Sequence, residues 1–411
     1  MSVRSESSSP SADAGLVLLT LAVGLGFLTA SWGALHLPPF DRYQIIDTPV
    51  YQEYGEAMAV GQVPYRDFDL EYPPAALPVF WLPTLGPAEH YRALFESLMW
   101  ICAAALLVLA VRGAAALGAS PRRLLLIAVG IGLFPLALGT VVLTRYDLWP
   151  AALVAAALAS VLAGRERLGL AVLGFAVAAK IYPLVLLPPL LVYVWRRQGR
   201  REAGVALGAF AAALAVVVVP FALIAPDGLW GSVERQLGRP LQIESLGASL
   251  LLAANQLGLY DPAVVSSHGS QNLSGSLPDA LATGQTVLQA AALVAVWLLF
   301  ARGPALPERL VGASAASVVV FVAFGKVLSP QFLVWLVPVA ALVAGRAGLA
   351  AGTLLSAALV TTHLWFPTRY WDLVDLQPVG WLALVRNVLL VALAVVLAVA
   401  MARARAPARS P

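Results

Sequence analysis

The sequence predicts an all-α protein with many membrane-spanning helices. Hydrophobic residues make up 60% of the 411 residues and charged residues only 12%, whereas soluble globular domains carry about 25% charged residues. Apolar runs of roughly 17 to 25 residues, the length that crosses a bilayer, recur along the whole chain. We expect a polytopic bundle of about 11 to 13 transmembrane helices, with re-entrant or interfacial helices on the outer face.

The predicted spans are separated by polar or arginine-containing loops. They cover about residues 15–36, 91–111, 124–143, 148–163, 203–225, 281–301, 309–325, 329–345, 347–363 and 381–401. The segment 168–195 is also apolar but contains Lys180, and it is too short for two full crossings, which need roughly 40 residues. We predict a pair of short helices or a helical hairpin that enters and leaves on one side and breaks at Pro183. One long tilted span is the alternative.

Arginines collect in short loops and indicate the cytoplasmic side. The positive-inside rule places both tails inside, together with the loops around 112–123, 164–167, 196–202, 302–309 and 346. The chain then divides into a disordered cytoplasmic tail (1–14), a single membrane domain (15–401) and a second cytoplasmic tail (402–411). We expect the first apolar run to remain as a span, because it is too long for a cleaved signal peptide. The protein is predicted to be multi-pass in the plasma membrane.

Three long polar segments, 37–90, 226–280 and 364–380, fall on the outer side. Two of them contain short apolar pieces, 75–85 and 246–258, which are too brief to cross a bilayer. Irregular backbone at membrane depth is tolerated only where protein or a water-filled cavity surrounds it. We therefore expect a cavity that opens outward, with the active site on the extracytoplasmic face. The net charge of +4 reflects loop arginines, so no nucleic-acid partner is predicted.

The only two lysines, Lys180 and Lys326, both lie within apolar sequence. An ionisable side chain at membrane depth is costly and usually marks a functional site. Two cations of this kind indicate an anionic ligand, and phosphate is the obvious candidate. The alternative is that each lysine lies near a span end and extends its ammonium group to the interface.

The first outer loop combines carboxylates with tyrosines and prolines. Seven carboxylates lie between Asp41 and Glu71. Aromatic rings stack on the C–H faces of sugars, and carboxylates accept hydrogen bonds from hydroxyl groups or act as general bases. The loop therefore fits a sugar site, although a solvated acidic loop is the other interpretation, and composition does not choose among the seven.

Several segments together resemble glycosyltransferase family 87, over about residues 40 to 340. They are Asp47 with Val50-Tyr51, Gly61-Gln62-Val63-Pro64-Tyr65, Glu71-Tyr72-Pro73-Pro74, Lys180-Ile181-Tyr182-Pro183 and Lys326-Val327-Leu328-Ser329-Pro330-Gln331-Phe332. The family often has a Gly-Gln-x-Asn stretch where this chain has Gly139 to Asp147, and the chain departs from the pattern there.

The resemblance implies a GT-C-like, polytopic, inverting enzyme of actinobacterial type. Such an enzyme transfers a hexose, usually mannose, from a polyprenyl-phosphate sugar to a lipid-linked or glycan acceptor, and Asp47 matches the expected base. The departing phosphate requires positive charge, for which the candidates are Lys180, Lys326 and one or more of Arg145, Arg235, Arg239 and Arg369. The further predicted substrate contacts are Tyr51, Tyr65, Glu71, Tyr72, Asp147, Tyr182, Gln242, Glu244, Ser329, Gln331 and His363.

No cofactor is predicted beyond the lipid-linked donor substrate. No metal site is predicted, although a divalent ion at Asp67 and Asp69 is left open. The main alternative function is a transporter or flippase for a lipid-linked or anionic substrate, and a weaker one is a non-catalytic subunit of an envelope complex. A transporter needs a site that is reachable from both sides, whereas the carboxylates of this chain are concentrated on the predicted outer face.

Overall fold

The structure is a computed structural model that describes residues 10–38, 40–41 and 45–403. Its helices are α1 Pro10–Ala34, α2 Thr48–Ala59, α3 Leu77–Trp81, α4 Tyr91–Ala116, α5 Pro121–Leu138, α6 Val141–Thr144, α7 Leu148–Leu162, α8 Glu166–Ala179, α9 Leu187–Gln198, α10 Arg200–Ile224, α11 Pro226–Leu237, α12 Leu246–Gln256, α13 Ser276–Arg302, α14 Pro307–Ala323, α15 Leu336–Ala341, α16 Gly345–His363, α17 Tyr370–Val374 and α18 Gly380–Arg403. Its strands are β1 Leu241–Gln242, β2 Ala263–Ser267 and β3 Ser270–Ser274. The helix α1 begins at Pro10, inside the tail predicted for 1–14, and the rest of the two predicted tails lies largely outside the described residues.

The all-α, multi-span fold class is confirmed. Six helices within the described part of the chain are long and apolar enough to cross a bilayer, namely Ala14–Ala34, Ala88–Ala116, Pro121–Leu138, Arg200–Ile224, Ser276–Arg302 and Gly380–Arg403. Shorter apolar helices occupy Pro74–Leu85, Leu148–Leu162 and Pro330–Ala341. Part of the bundle is therefore built from helices that end before a full crossing, and these broken elements carry many of the polar side chains described below.

The segment 168–195 forms the predicted pair of short helices. The helix α8 ends at Ala179, a 3₁₀ turn follows at Tyr182–Leu186, and α9 begins at Leu187. At the start of α8, Arg167 pairs with Glu202 near the start of α10, with 2.7 Å between Nη2 and Oε1. Because α9 leads directly into α10, the segment enters and leaves at the same end of the bundle.

The arginine-rich loops and the long polar segments lie at opposite ends of the bundle. At one end, the Arg123 guanidinium donates to the Leu342 carbonyl at 2.5 Å and Arg196 donates to the Gly303 carbonyl. At the other end the three long polar segments meet: Arg235 pairs with Asp69 at 3.6 Å, and Gln256 donates to the Leu376 carbonyl at 2.5 Å. The acidic first loop thus lies opposite the arginine-rich loops.

A small antiparallel sheet is the part of the fold that the sequence did not predict. Its strand order is β1-β3-β2, and Gln242 on β1 pairs with Asn272 on β3. The hairpin from β2 to β3 turns through His268 and Gly269, both at positive φ (52° and 65°), as a two-residue type I′ turn requires. The sheet holds Gln242 in place at the polar end of the bundle.

Close packing of α8 on α10 depends on Gly174. A Cβ at this position would overlap the Phe210 carbonyl of α10, whereas a Cβ at Gly208 on α10 would meet nothing within 4 Å. The two helices can approach backbone to backbone only because residue 174 has no side chain.

We therefore predict opposite effects for two glycine substitutions. Gly174→Ala should destabilise the bundle by at least 1 kcal/mol, in the range of ~1 to 3 kcal/mol typical of overpacking. The control Gly208→Ala should leave stability unchanged or raise it by up to ~1 kcal/mol, since alanine is the better helix former. Thermal unfolding of the two purified variants in detergent measures both changes, and an equal effect at both positions would contradict the packing argument.

Candidate active site

Charged side chains from separate segments meet at the polar end of the bundle. They come from the start of α2, the link between α6 and α7, the end of α8, the turn before α12, and the stretch after α14. Each lies where a helix begins, ends or breaks, because a continuous helix would point its side chains sideways into the bundle or the lipid.

Asp47 forms an ion pair with Arg145. Asp47 occupies the N-cap position of α2, where aspartate usually accepts a hydrogen bond from the helix backbone, but its side chain makes no such cap. Instead its Oδ2 pairs with the Arg145 guanidinium and accepts a hydrogen bond of 3.4 Å from the Tyr51 hydroxyl. The Asp47 side chain is 29% exposed and that of Arg145 only 8%, so the carboxylate lies on the open side of the pair.

A break between α5 and α7 positions Arg145. Gly139 ends α5 at φ +85°, α6 makes a single turn, and Arg145 is extended before α7 begins at Leu148. The guanidinium is almost enclosed: Nη2 donates weakly to the Ile45 carbonyl at 3.4 Å, and Nε is buried with no partner in the described structure. Arg145 can therefore form further strong hydrogen bonds if an anion reaches it.

Asp147, Lys180 and Trp335 form a second, more enclosed unit. Asp147 is 1% exposed, and its Oδ1 accepts hydrogen bonds from Lys180 Nζ at 2.6 Å and Trp335 Nε1 at 2.7 Å. The ammonium group also lies 4.5 Å from the ring centroid of Tyr146 and 5.0 Å from that of Trp335. The charge of Lys180 is thus balanced within the protein, and its role as a phosphate ligand stays a prediction.

Aromatic rings of the first loop pack into a wall beside Asp47. Tyr51 stacks on Phe80 with centroids 4.5 Å apart, and Tyr72 contacts Tyr146 edge-on at 5.1 Å. Tyr72 is half-buried, and Glu71 beside it is exposed. Both can therefore be reached from the polar end of the bundle.

Tyr65 holds the loop together. It is 5% exposed, has φ +67°, and donates from its hydroxyl to the Tyr72 carbonyl at 2.5 Å. Its own carbonyl lies where a Cβ on Gly228 would be, so the loop packs directly on α11. Tyr182 is also enclosed, stacked on Trp335 with centroids 4.1 Å apart.

Lys326 and Arg239 are the cations of the cluster that lack a carboxylate within ion-pair distance among the described residues. Lys326 Nζ donates to the Leu237 carbonyl at 2.9 Å, and Arg239 Nη2 donates to Ser270 Oγ at 2.9 Å. Burial lowers the pKa of Arg239, and the nearby Glu71 carboxylate acts in the opposite direction. Two positive charges are therefore available to an anion at this edge of the site.

The break that exposes Lys326 is supported by glutamines of α13. Gln289 donates to the Phe321 carbonyl at 2.6 Å and Gln285 to the Gly325 carbonyl at 2.5 Å, which satisfies backbone acceptors at the end of α14. Beyond Lys326, Ser329 Oγ accepts from Gln242 Nε2 at 3.0 Å. Gln331 follows on the 3₁₀ turn Pro330–Trp335, half-buried.

Glu244 lies behind Arg145 in a fully buried position. Gln242 Nε2 donates to one of its carboxyl oxygens at 2.7 Å, and the other oxygen, Oε1, has no partner in the described structure. Burial raises the pKa of Glu244 to about 7, against the opposing charges of Arg386, Arg145 and Arg239.

Sequence reasoning missed Arg386 and Asn387 on α18. Both are buried, and both donate to the Glu244 carbonyl oxygen, at 2.6 Å and 3.2 Å. The signal was present, because an arginine within an apolar span is as costly as a lysine. The position of Arg386 fixes the turn that carries Glu244.

Two predicted contacts are engaged elsewhere in the structure. His363 at the end of α16 approaches the Leu136 carbonyl through Nδ1 at 3.0 Å, and its ring packs on the backbone of Gly139. Arg369 pairs with Asp372 at 3.0 Å, with both side chains about half exposed. Neither makes a direct contact with the ion pairs above, so their assignment to the substrate stays a prediction.

Asp67 and Asp69, where a metal ion was left open, have ion-pair partners in the structure. Asp67 pairs with Arg66 at 2.9 Å and Asp69 with Arg235 at 3.6 Å. Among the described residues, no group of three or more metal-ligating side chains is present. These two carboxylates are therefore engaged with arginines in this structure.

Removing the charge of Asp147 should be costly. In Asp147→Asn the buried ammonium of Lys180 would lose its counter-charge, and breaking one side of a buried pair typically costs about 3 to 5 kcal/mol. The matched control Asp67→Asn breaks an exposed pair and should change stability little. Unfolding in a denaturing-detergent titration measures both, and equal stability of the two variants would show that the Lys180 pair is not structurally important.

The pKa of Glu244 predicts a pH dependence of stability. Because the folded state raises this pKa from 4.5 to about 7, the folded protein binds a proton more tightly than the unfolded chain does. As pH rises from about 4.5 to about 7, wild type should therefore lose on the order of 3 kcal/mol of stability relative to Glu244→Gln. Above this range the difference should stay constant. Unfolding titrations of both proteins from pH 4 to 8 measure the difference, and a difference that is constant over the whole titration would contradict the prediction.

Comparison with known proteins gives the family of the chain. The solved structure of ArnT from Cupriavidus metallidurans bound to undecaprenyl phosphate resembles the chain at 15% identity and a TM-score of 0.48, over 94% of this chain and 77% of that one. No curated protein matches the chain. The model of glycosyltransferase family 87 matches residues 70–330, which is more than half of the sequence. The chain therefore belongs to glycosyltransferase family 87.

Proposed function

We propose that the protein transfers a hexose from a polyprenyl-phosphate sugar to a lipid-linked or glycan acceptor, with inversion and with Asp47 as the general base. Mannose is the proposed sugar, in keeping with the family resemblance of the sequence. The observation that carries the proposal is the partly exposed Asp47 carboxylate, which lies in one cluster with buried and half-buried cations. The membership of the chain in a glycosyltransferase family favours this function over the transport of a lipid-linked substrate.

The chemistry needs one base and a stabilised leaving group. The acceptor hydroxyl oxygen attacks the anomeric carbon, and its proton passes to Asp47. The bond between that carbon and the phosphate oxygen breaks, and its electron pair remains on the phosphate. A carboxylate serves the first role, and fixed cations serve the second. A single displacement of this kind inverts the anomeric configuration.

The cations of the site divide into open and enclosed groups. Within the described structure, Lys326 and Arg239 form hydrogen bonds with neutral groups, so a phosphate would gain their charge without displacing a carboxylate. Arg145 lies on the other side, next to the base, and its planar guanidinium suits two-point contact with phosphate. The proposed phosphate position lies between these groups.

Tyr72 and Glu71 of the first loop supply a sugar-binding surface. Tyr72 is half-buried beside the exposed Glu71, and both are on the loop that carries Asp47. A ring face can stack on a hexose, while the Glu71 carboxylate can accept hydrogen bonds from its hydroxyl groups. We place the sugar between this surface and the cations.

The active side of the membrane follows from charge. The cluster lies at the end of the bundle opposite the arginine-rich loops, and such loops favour the cytoplasm. We therefore propose an extracytoplasmic active site in the plasma membrane, where a lipid-linked donor supplies the sugar.

The test is the substitution Asp47→Asn. The amide has the shape of the carboxylate but does not accept the hydroxyl proton, so transfer should fall by ~10² to 10⁴. Mass spectrometry of envelope lipids and glycans from a deletion strain first identifies the product that loses one hexose. That product is then measured after complementation with wild type or variant.

The control is Asp67→Asn, which removes a carboxylate of the same loop that is paired with Arg66 at the surface. It should restore the product to near the wild-type level. Activity of Asp47→Asn within a few-fold of wild type, at equal protein level in the membrane, would move the base to another carboxylate of the loop.

A further inference from the structure

The carboxylate proposed as the base is not free in the structure. Asp47 is in direct contact with the Arg145 guanidinium through Oδ2, and a carboxylate oxygen that contacts an arginine has fewer lone pairs available for a substrate hydroxyl. The cation that would help to hold the leaving phosphate thus occupies the group that must take the proton. Both groups reach their working positions only when this pair separates.

The two ion pairs of the site differ in what could separate them. Asp147 is 1% exposed and is fixed by Lys180 and by the Trp335 indole, so its carboxylate is enclosed, although the Lys180 side chain is 16% exposed. Asp47 is 29% exposed, and apart from Arg145 its side chain has one partner in the described part of the chain, Tyr51, through a long hydrogen bond. The two pairs thus differ in their carboxylates: an incoming anion can displace the exposed Asp47 from Arg145, whereas Asp147 is held in place beside Lys180.

Arg145 is prepared to change partners. Its side chain is 8% exposed, and within the described residues its Nε is buried without a partner and its one further hydrogen bond is the weak one to Ile45. The protonated guanidinium carries five N–H donors. A phosphate in the site would satisfy the unused donors and, at the same time, replace the charge of Asp47, so the exchange leaves no buried cation unpaired.

We propose that the Asp47–Arg145 pair is a substrate-operated latch: the phosphate of the donor takes Arg145, and Asp47 is released to accept the acceptor proton. This inference rests on the proposed function, since it assumes a lipid phosphate in the site. In this proposal, Arg145 makes the base available only when the donor has bound. Without the latch, Asp47 would be available as a base before the donor binds.

The test is a double-mutant cycle on the binding of undecaprenyl phosphate to the full-length protein in detergent or nanodiscs. In wild type, binding must separate Asp47 from Arg145, so Asp47→Asn should bind several-fold more tightly. In the Arg145→Gln background no pair exists, and adding Asp47→Asn should leave the affinity unchanged. Tightening by Asp47→Asn in both backgrounds would show general repulsion between carboxylate and phosphate, and would overturn the latch.

Controls distinguish the latch from loss of fold and from the proposed function. Arg145→Lys keeps a cation beside Asp47 and replaces Arg145→Gln if that variant does not fold; because the ammonium lacks the planar fork of arginine, Asp47→Asn should tighten binding less in this background than in wild type, whereas general repulsion predicts equal tightening. Glu71→Gln removes an exposed carboxylate of the same loop and should change affinity less than Asp47→Asn. Inorganic phosphate in place of the lipid shows whether the phosphate alone operates the latch or the lipid chain is needed. If undecaprenyl phosphate does not bind to wild type at all, the proposed donor and the latch both fail, whereas binding without the predicted cycle overturns the latch alone.

A second measurement uses the accessibility of Asp47 itself. Carbodiimide-driven amidation, read by peptide mass spectrometry, should label Asp47 at least several-fold more in the presence of undecaprenyl phosphate. In Arg145→Gln the labelling should be high with and without the lipid, and Asp67 serves as the internal reference in each sample. Labelling of Asp47 that falls or stays constant when the lipid binds to wild type would overturn the proposal.

Discussion

The structure of the polar end depends on the enclosed pair of Asp147 and Lys180. An ammonium group within a helical bundle is stable only when a carboxylate and oriented groups surround it, and here Asp147, the Trp335 indole and the ring of Tyr146 do so. The three elements that bring these groups together all break near this point: α8 ends before Lys180, α7 begins after Asp147, and a 3₁₀ turn carries Trp335. Three helix breaks of the bundle thus meet at this ion pair.

Much of the architecture could be predicted from the sequence, because apolar run length is a strong and local signal. The break near Lys180 and Pro183 was also predictable, since a charge and a proline interrupt the run together. The β2–β3 hairpin was not, because its strands are short and polar and their pairing with β1 joins residues about 30 positions apart in the chain. The buried position of Arg386 was not predictable for a different reason. A single arginine near the end of a span can lie at the membrane interface as well as in the protein core.

The sequence also could not separate residues that hold the site from residues that face it. Tyr65 and Tyr72 belong to the same motif, yet the first uses its hydroxyl to bind the carbonyl of the second, and only Tyr72 remains partly open. Lys180 and Lys326 have similar apolar surroundings in the sequence. One is enclosed by a carboxylate, whereas the other donates to a backbone carbonyl. These differences arise from partners distant in the chain, which local sequence does not reveal.

The arrangement of charge gives the site two layers with different tasks. Behind Arg145, the neutral or negative Glu244 is held through its backbone by Arg386 and Asn387, and in front of it Asp47 faces the open side. Arg145 thus lies between a fixed group and an exposed one, and its strong partner among the described residues is the exposed carboxylate. Coupling between two ligands requires an element with two discrete arrangements that both ligands bias. In the proposed latch that element is the Arg145 guanidinium, paired either with Asp47 or with the donor phosphate, and acceptor activation would depend on the donor through this one group.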